Sequence, residues 1–343
     1  MIEEIINASE LQILMNILGK EIEITFPLYY FKLLRGIQRG DGYELEVICD
    51  KSDFEREAAK FNEFASEMPS YNDYLSCLLS SGILQYKNID KFKEKLRSYR
   101  ELKKKVYFSL DTNMLYQRFL SVYNLISPSE VILVDTVIKE IKASLNYKYS
   151  PRQITEMKRM IPHQKNLFNE FVNRKVKKSR YVAYLAMREY KSIMAHALEL
   201  KSIVESSVNK EENDRIIVKT LKGYEEERHV LPVLLTADNG MADLCEIEGI
   251  EHFLFEVPHV IDADYCSSEC LLDFIFNLAA VFGVIKLNSV IVYGEFKGKS
   301  SNKPSELKLI FLDEKIGEIF GRDLRICRKL MEIGIENKSP ICN

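Results

Sequence analysis

The chain has no CxxC pair, no apolar run long enough for a bilayer crossing, no large excess of one charge sign and no internal repeat. Each absence excludes something. The seven cysteines are odd in number and scattered, which argues against a disulfide framework or a zinc ribbon. Cys266 and Cys270, four apart at the head of an apolar helix and near His259, read as buried thiols. The most apolar stretch, residues 271–284, falls short of the roughly 20 residues that span a membrane, and Asp273 and Asn277 interrupt it. The opening MIEEIINASE places acids where a secretion signal needs basic residues. A cytoplasmic protein with no membrane partner is expected. A net charge of −3, from 48 basic and 51 acidic side chains, excludes a chain that is basic all over.

What is present is a large globular chain, with 343 residues, 46% of them hydrophobic and 29% charged. At ~100–200 residues per domain, two or three domains are expected. Residues 1–105 read as an N-terminal α/β or mostly helical module: a helical stretch at 9–18, a strand-like YELEVICD at 43–50, and helical patterns ending in the charged KFKEKLRSYRELKKK. No chemistry stands out there. Residues 106–257 alternate short apolar runs (106–110, 131–134, 233–235) with helical patterns (114–123, 137–145, 181–208, 214–221). Runs without a polar face suit strands covered on both sides, and the alternation predicts βαβ units in a mostly parallel sheet. Gly249 predicts a helix stop before a last strand. Residues 258–343 read as an α+β module, with an apolar helix at 271–282, strands at 289–296 and 307–312, and a closing helix at 316–333.

The acids of the central region fall at the ends of the predicted strands. Asp111 follows VYFSL, Asp238 follows VLLTA, Glu140 lies early in the helix after VILVD, and Asp214 opens another helix. In an open parallel sheet, functional groups gather at the carboxyl ends of the strands. Taken singly, such acids are ordinary helix caps. Converging, they repel one another unless cations bind, and hard divalent ions such as Mg2+ or Mn2+ prefer oxygen ligands. Two such ions can activate a water and stabilise the leaving oxygen of a phosphodiester.

FSLDTNMLY (108–116), TVIKEI (136–141), NDRIIV (213–218) and LLTADNGMADLCEIEGI (234–250) resemble, in order, the motifs of PIN-domain nucleases. The resemblance covers about 106–257 and neither flank. It implies a PIN-like α/β fold whose motif acids, here Asp111, Glu140, Asp214 and Asp238, bind divalent metal and cleave RNA, less often DNA. It further implies support from Asn113 by hydrogen bonding and from Thr236, which would orient the last acid. Asp243, one turn beyond Asn239, either joins the site or sits on the exposed helix face, and the face is preferred. The long interval between Glu140 and Asp214 implies an insertion.

That insertion, 148–208, is predicted to be helical and basic. Residues 148–191 hold twelve Lys or Arg and three Glu, a balance of 12 − 3 = +9. Arg174, Lys175, Lys177, Lys178 and Arg180 concentrate it and are expected to meet nucleic-acid phosphates, while the interleaved Phe168, Phe171, Tyr181, Tyr184 and Tyr190 are expected in the core. Residues 205–264 carry fifteen acids and five Lys or Arg, 5 − 15 = −10. A phosphate-binding surface beside a metal-binding pocket suits a nuclease. The expectation is a Mg2+- or Mn2+-dependent endoribonuclease. The alternatives are a PIN-like scaffold that binds RNA or protein without cutting, and a structure-specific DNA nuclease.

Overall fold

A computed structural model describes residues 2–204, 209–300 and 302–333. The chain opens with β1 (Ile2–Asn7), β2 (Glu21–Phe26), β3 (Phe31–Arg39) and β4 (Gly42–Val47). In β2 the alternation EIEITF buries Ile22, Ile24 and Phe26 and leaves Glu21 in water, the period-2 pattern of a sheet with one covered face. Helices Lys51–Ala59, Tyr71–Ser80 and Ile89–Glu101 follow, the first two started by capping boxes at Asp50 and Ser70.

The central region forms β5 (Val106–Leu110), β6 (Val131–Val134), β7 (Leu198–Leu200), β8 (Leu231–Thr236) and β9 (Glu251–Leu254). They make a five-stranded parallel sheet in the order β7-β6-β5-β8-β9. All of β6, and β8 from its second residue, are buried, as a sheet covered on both faces requires. Gly249, at φ +67°, ends the Asn239–Glu248 helix in the left-handed region that favours glycine and turns the chain into β9. From β5 the chain moves outward to β6 and β7, then returns to β8 on the other side of β5. The carboxyl ends of β5 and β8 therefore flank the point where strand order reverses, the usual place for a crevice.

The last region adds β10 (Tyr265–Ser267), the helix Ser268–Phe282, the hairpin of β11 (Val284–Leu287) and β12 (Val290–Tyr293), β13 (Glu306–Phe311) and the helix Glu314–Glu332. Here the structure departs from the expectation of separate flanking modules. β1 pairs with β13, β2 with β11 and β4 with β10, giving one eight-stranded antiparallel sheet, β1-β13-β12-β11-β2-β3-β4-β10. The two flanks thus share one sheet, with the parallel domain inserted between them in sequence. From Phe274 onward every residue of the Ser268–Phe282 helix is buried, because the helix packs on this sheet and on the Tyr71–Ser80 helix, while Glu269 and Asp273 in its first turns reach solvent. Its buried Asn277 donates to Ser80 O at 3.2 Å and Ser80 Oγ at 3.0 Å.

The insertion also differs from expectation. The helix predicted over 181–208 ends at Ile193, after a π-helical turn at Val182–Ala186, and β7 follows. Three residues are too short to register as a strand by pattern, and β7 exists because β6 offers its edge. The predicted end of that helix at 205–208, and Cys342, lie outside the described residues.

Candidate functional site

β5 delivers Asp111 to the switch point. Asp111 precedes the Thr112–Tyr116 helix, but its carboxylate makes no capping bond to that helix. Instead it is buried, 4% exposed, and accepts hydrogen bonds from Thr236 Oγ1 at 2.9 Å and Asn113 Nδ2 at 3.3 Å. Thr236 ends β8 and its hydroxyl also receives the backbone N–H of Asp238 at 3.0 Å. The family resemblance implies that Thr236 orients the carboxylate of Asp238; in the structure the hydroxyl bonds the carboxylate of Asp111 and the backbone of Asp238. Asp238, half-buried, caps the Asn239–Glu248 helix through the N–H of Gly240 at 2.9 Å.

Glu140 projects from the Asp135–Ser144 helix and is held from two sides. Thr112 Oγ1 donates to its Oε2 at 3.0 Å, and Asn213 Nδ2 to its Oε1 at 2.9 Å. Asn213 is buried, and the next residue, Asp214, is half-buried on the same Lys210–Arg228 helix. The motif acids are therefore joined by short links: Asp214 neighbours Asn213, which bonds Glu140, which bonds Thr112, which neighbours Asp111, which bonds Thr236, which receives the N–H of Asp238. Tyr116 lies near two of the acids. Burial first, then the negative charges of Glu140 and Asp111, push its hydroxyl up to about 12. Cys245, raised to about 12 by burial and then by Asp111, is an inert thiol beside the site.

Thr112 and Asn213 escaped the sequence reading. Each is the direct neighbour of a motif acid, which is the one signal that could have found them. Asp243 is exposed on the Asn239–Glu248 helix and takes no part in these links.

Among the described residues, no three Asp, Glu, His or Cys side chains gather closely enough to hold an ion by themselves. The groups at the switch point nevertheless fit a hard divalent cation. The charged groups named there are carboxylates, and two of them, Asp111 and Glu140, are held by neutral donors, Asn113 and Thr236 on the first and Thr112 and Asn213 on the second, that do not cancel their charge.

The basic residues chosen from sequence are mostly spent inside the fold. Arg180 is 2% exposed, donating to Val281 O at 3.1 Å and Lys175 O at 3.0 Å, with its guanidinium over the Phe171 and Tyr149 rings. Arg174 donates to Lys299 O, and Lys177 pairs with Asp73 at 3.1 Å. Lys175 is half-buried, with its ammonium over the Tyr184 ring. Of the five, only Lys178 is exposed. Phe168, Phe171 and Tyr184 are core residues.

Residues 108–255 match the family model of the PIN domain. The central region is a PIN domain. The match begins inside β5, runs just past β9, and takes in all four motif acids. No curated protein matches the chain. PIN domains are generally nucleases, so the PIN domain of this chain has a nuclease-type fold. No helix among the described residues is long and apolar enough to cross a membrane.

Proposed function

We propose that the protein is a divalent-metal-dependent endoribonuclease, acting in the cytoplasm, whose PIN domain holds Mg2+ or Mn2+ through Asp111, Glu140, Asp214 and Asp238. The observation that carries this reading is the pair of short hydrogen-bond sets at the carboxyl ends of β5 and β8, one tying Asp111 to Thr236 and the backbone of Asp238, the other tying Glu140 to Thr112 and Asn213, the sequence neighbours of Asp111 and Asp214. Bound metal would supply the activated water and stabilise the leaving oxygen. The residues of the chain do the rest. Thr236 and Asn113 fix the rotamer of Asp111, while Thr112 and Asn213 fix that of Glu140, so both carboxylates present oxygens without reorganisation. Lys148, Arg159, Lys165 and Lys178, exposed basic residues of the insertion, would neutralise backbone phosphates.

Asp111→Asn tests the reading. It keeps the shape and removes the charge, so metal-dependent RNA cleavage should fall at least about a thousandfold with an unchanged unfolding midpoint; unaltered cleavage would sink it. A scaffold that binds without cutting is favoured by the absence, among the described residues, of three acids at ligating distance. Calorimetric titration with Mn2+ separates the two: no heat, or heat indifferent to Asp238→Asn, belongs to the scaffold. Matched RNA and DNA oligonucleotides decide between ribonuclease and DNA nuclease.

A further inference from the structure

The Glu314–Glu332 helix presents two apolar faces. The inner one, Gly317, Phe320, Gly321 and Leu324, is buried against β1 and the Leu11–Leu18 helix. A Cβ at Gly317 would lie 3.0 Å from Ile2 Cδ1, so a bare backbone there lets the helix lie close on β1. The second face runs through Ile316, Ile319, Asp323, Ile326, Leu330 and Ile333, at successive spacings of 3, 4, 3, 4 and 3. Ile319 is 41% exposed, Ile326 50%, Leu330 41% and Ile333 72%. A lone exposed isoleucine needs no explanation. Four in this register form the heptad seam on which a second helix packs.

The borders of the seam define its partner. Phe320 and Cys327 edge it on the side turned toward the body of the protein, the former buried and the latter half-buried. On the open side stand Lys315, Arg322 and Lys329, all exposed and spaced by seven, with the Arg322 guanidinium turned onto Asp323 at 2.8 Å. A second copy of this helix fits poorly. Packed antiparallel, it would set one cationic row against the other; packed parallel, it would set Asp323 against Asp323. A lipid surface fits poorly too, because Asp323 sits in mid-seam and would be carried out of water.

We propose that this face docks an amphipathic helix of another protein, one with acidic residues bordering its apolar seam, to form a two-stranded coil. The acidic border meets the Lys315 and Lys329 ammonium groups, while Arg322 pairs with Asp323 at 2.8 Å and keeps that mid-seam carboxylate neutralised beside the partner. This surface belongs to the flanking sheet and does not depend on the nuclease reading.

The test uses the full chain and two synthetic peptides of about three heptads with Leu at the seam positions, one bordered by Glu and the other by Lys. By calorimetry the Glu-bordered peptide should bind and the Lys-bordered one should not, with affinity falling as salt rises. Ile326→Asp, a change at an exposed position, should weaken binding at least about tenfold while leaving the circular dichroism spectrum and RNA cleavage as they were. Arg322→Glu combined with Lys329→Glu should reverse the peptide preference. Equal binding of both peptides, no binding of either, or indifference to Ile326→Asp would overturn the proposal. So would sedimentation showing a dimer that Ile326→Asp dissolves, which makes a second copy the occupant. Adsorption to phosphatidylserine vesicles that Ile326→Asp abolishes, with no peptide binding, would equally overturn it in favour of a membrane surface.

Discussion

Thr236 donates its hydroxyl proton to Asp111 Oδ2 at 2.9 Å, across the pair of parallel strands that end at these residues. Both partners are buried, so the bond forms where water does not compete for it. Thr236 Oγ1 in turn accepts the backbone N–H of Asp238. One side chain therefore sets the rotamer of the first motif acid and the approach of the last.

Thr236→Val keeps the shape of the side chain and removes both bonds. The expected cost is ~1–3 kcal/mol of folding stability, because a buried oxygen of Asp111 and the part-buried N–H of Asp238 each lose a partner. RNA cleavage should fall more than that loss of stability explains, and Thr236→Ser, which keeps the hydroxyl, should restore most of it. Denaturant melts paired with single-turnover cleavage make the measurement. Cleavage equal in Val and wild-type proteins would deny the hydroxyl a role.

Arg180 and Lys178 stand two apart in the basic arm and should behave in opposite ways. Arg180→Met strips the buried Val281 carbonyl and the part-buried Lys175 carbonyl of their donor and should cost on the order of 2–4 kcal/mol of stability, with little effect on the salt dependence of RNA binding once the protein is folded. Lys178→Glu, at an exposed position, should leave the melting curve in place and lessen the slope of affinity against salt. Unfolding midpoints and fluorescence titrations over a salt series distinguish them. An exchange of the two phenotypes would refute the placement.

Lys299 lies buried with its Nζ 4.0 Å from the centroid of the Tyr184 ring and 2.6 Å from Gly294 O. Burial pushes its ammonium down to about 8; Glu295 and Glu306 oppose that, and Lys175 and Arg174 add to it. The folded pKa lies below the unfolded one, so between about pH 8 and 10.5 the unfolded chain binds more protons and stability rises with pH. The penalty for the buried charge is fully present below that window and gone above it. Lys299→Met keeps the aliphatic bulk and removes the titration. The stability of wild type minus that of the variant should climb across the window and be level outside it. A flat difference throughout would mean the ammonium keeps its ordinary pKa.

Much of the PIN domain was legible because its determinants are local. The unbroken apolar runs of β5, β6 and β8 announce strands covered on both faces, and an acid after each of β5 and β8 marks the carboxyl edge. Asn113, two residues from its acid, could be inferred for the same reason. Adjacency to a motif acid marks Thr112 and Asn213 as candidates, but it does not give their partner: both bond Glu140, 28 and 73 positions away in sequence, and nothing local shows which carboxylate a threonine or asparagine will meet.

The flanks show the same division at larger scale. β1, β2, β3, β10 and β11 went unread as strands, and three of the pairings that hold the antiparallel sheet together link the two ends of the chain. A strand partly exposed or only a few residues long becomes a strand when its partner arrives, and the partner lies beyond any local window. Charge was misread for a related reason. The sequence by itself determined that the insertion is basic, but only tertiary packing decided that Arg180, Arg174 and Lys177 would be consumed by backbone carbonyls, a carboxylate and aromatic rings, leaving Lys178 to face solvent. Periodicity and composition act along the chain, whereas hydrogen-bond partners and burial are settled by which distant segments meet.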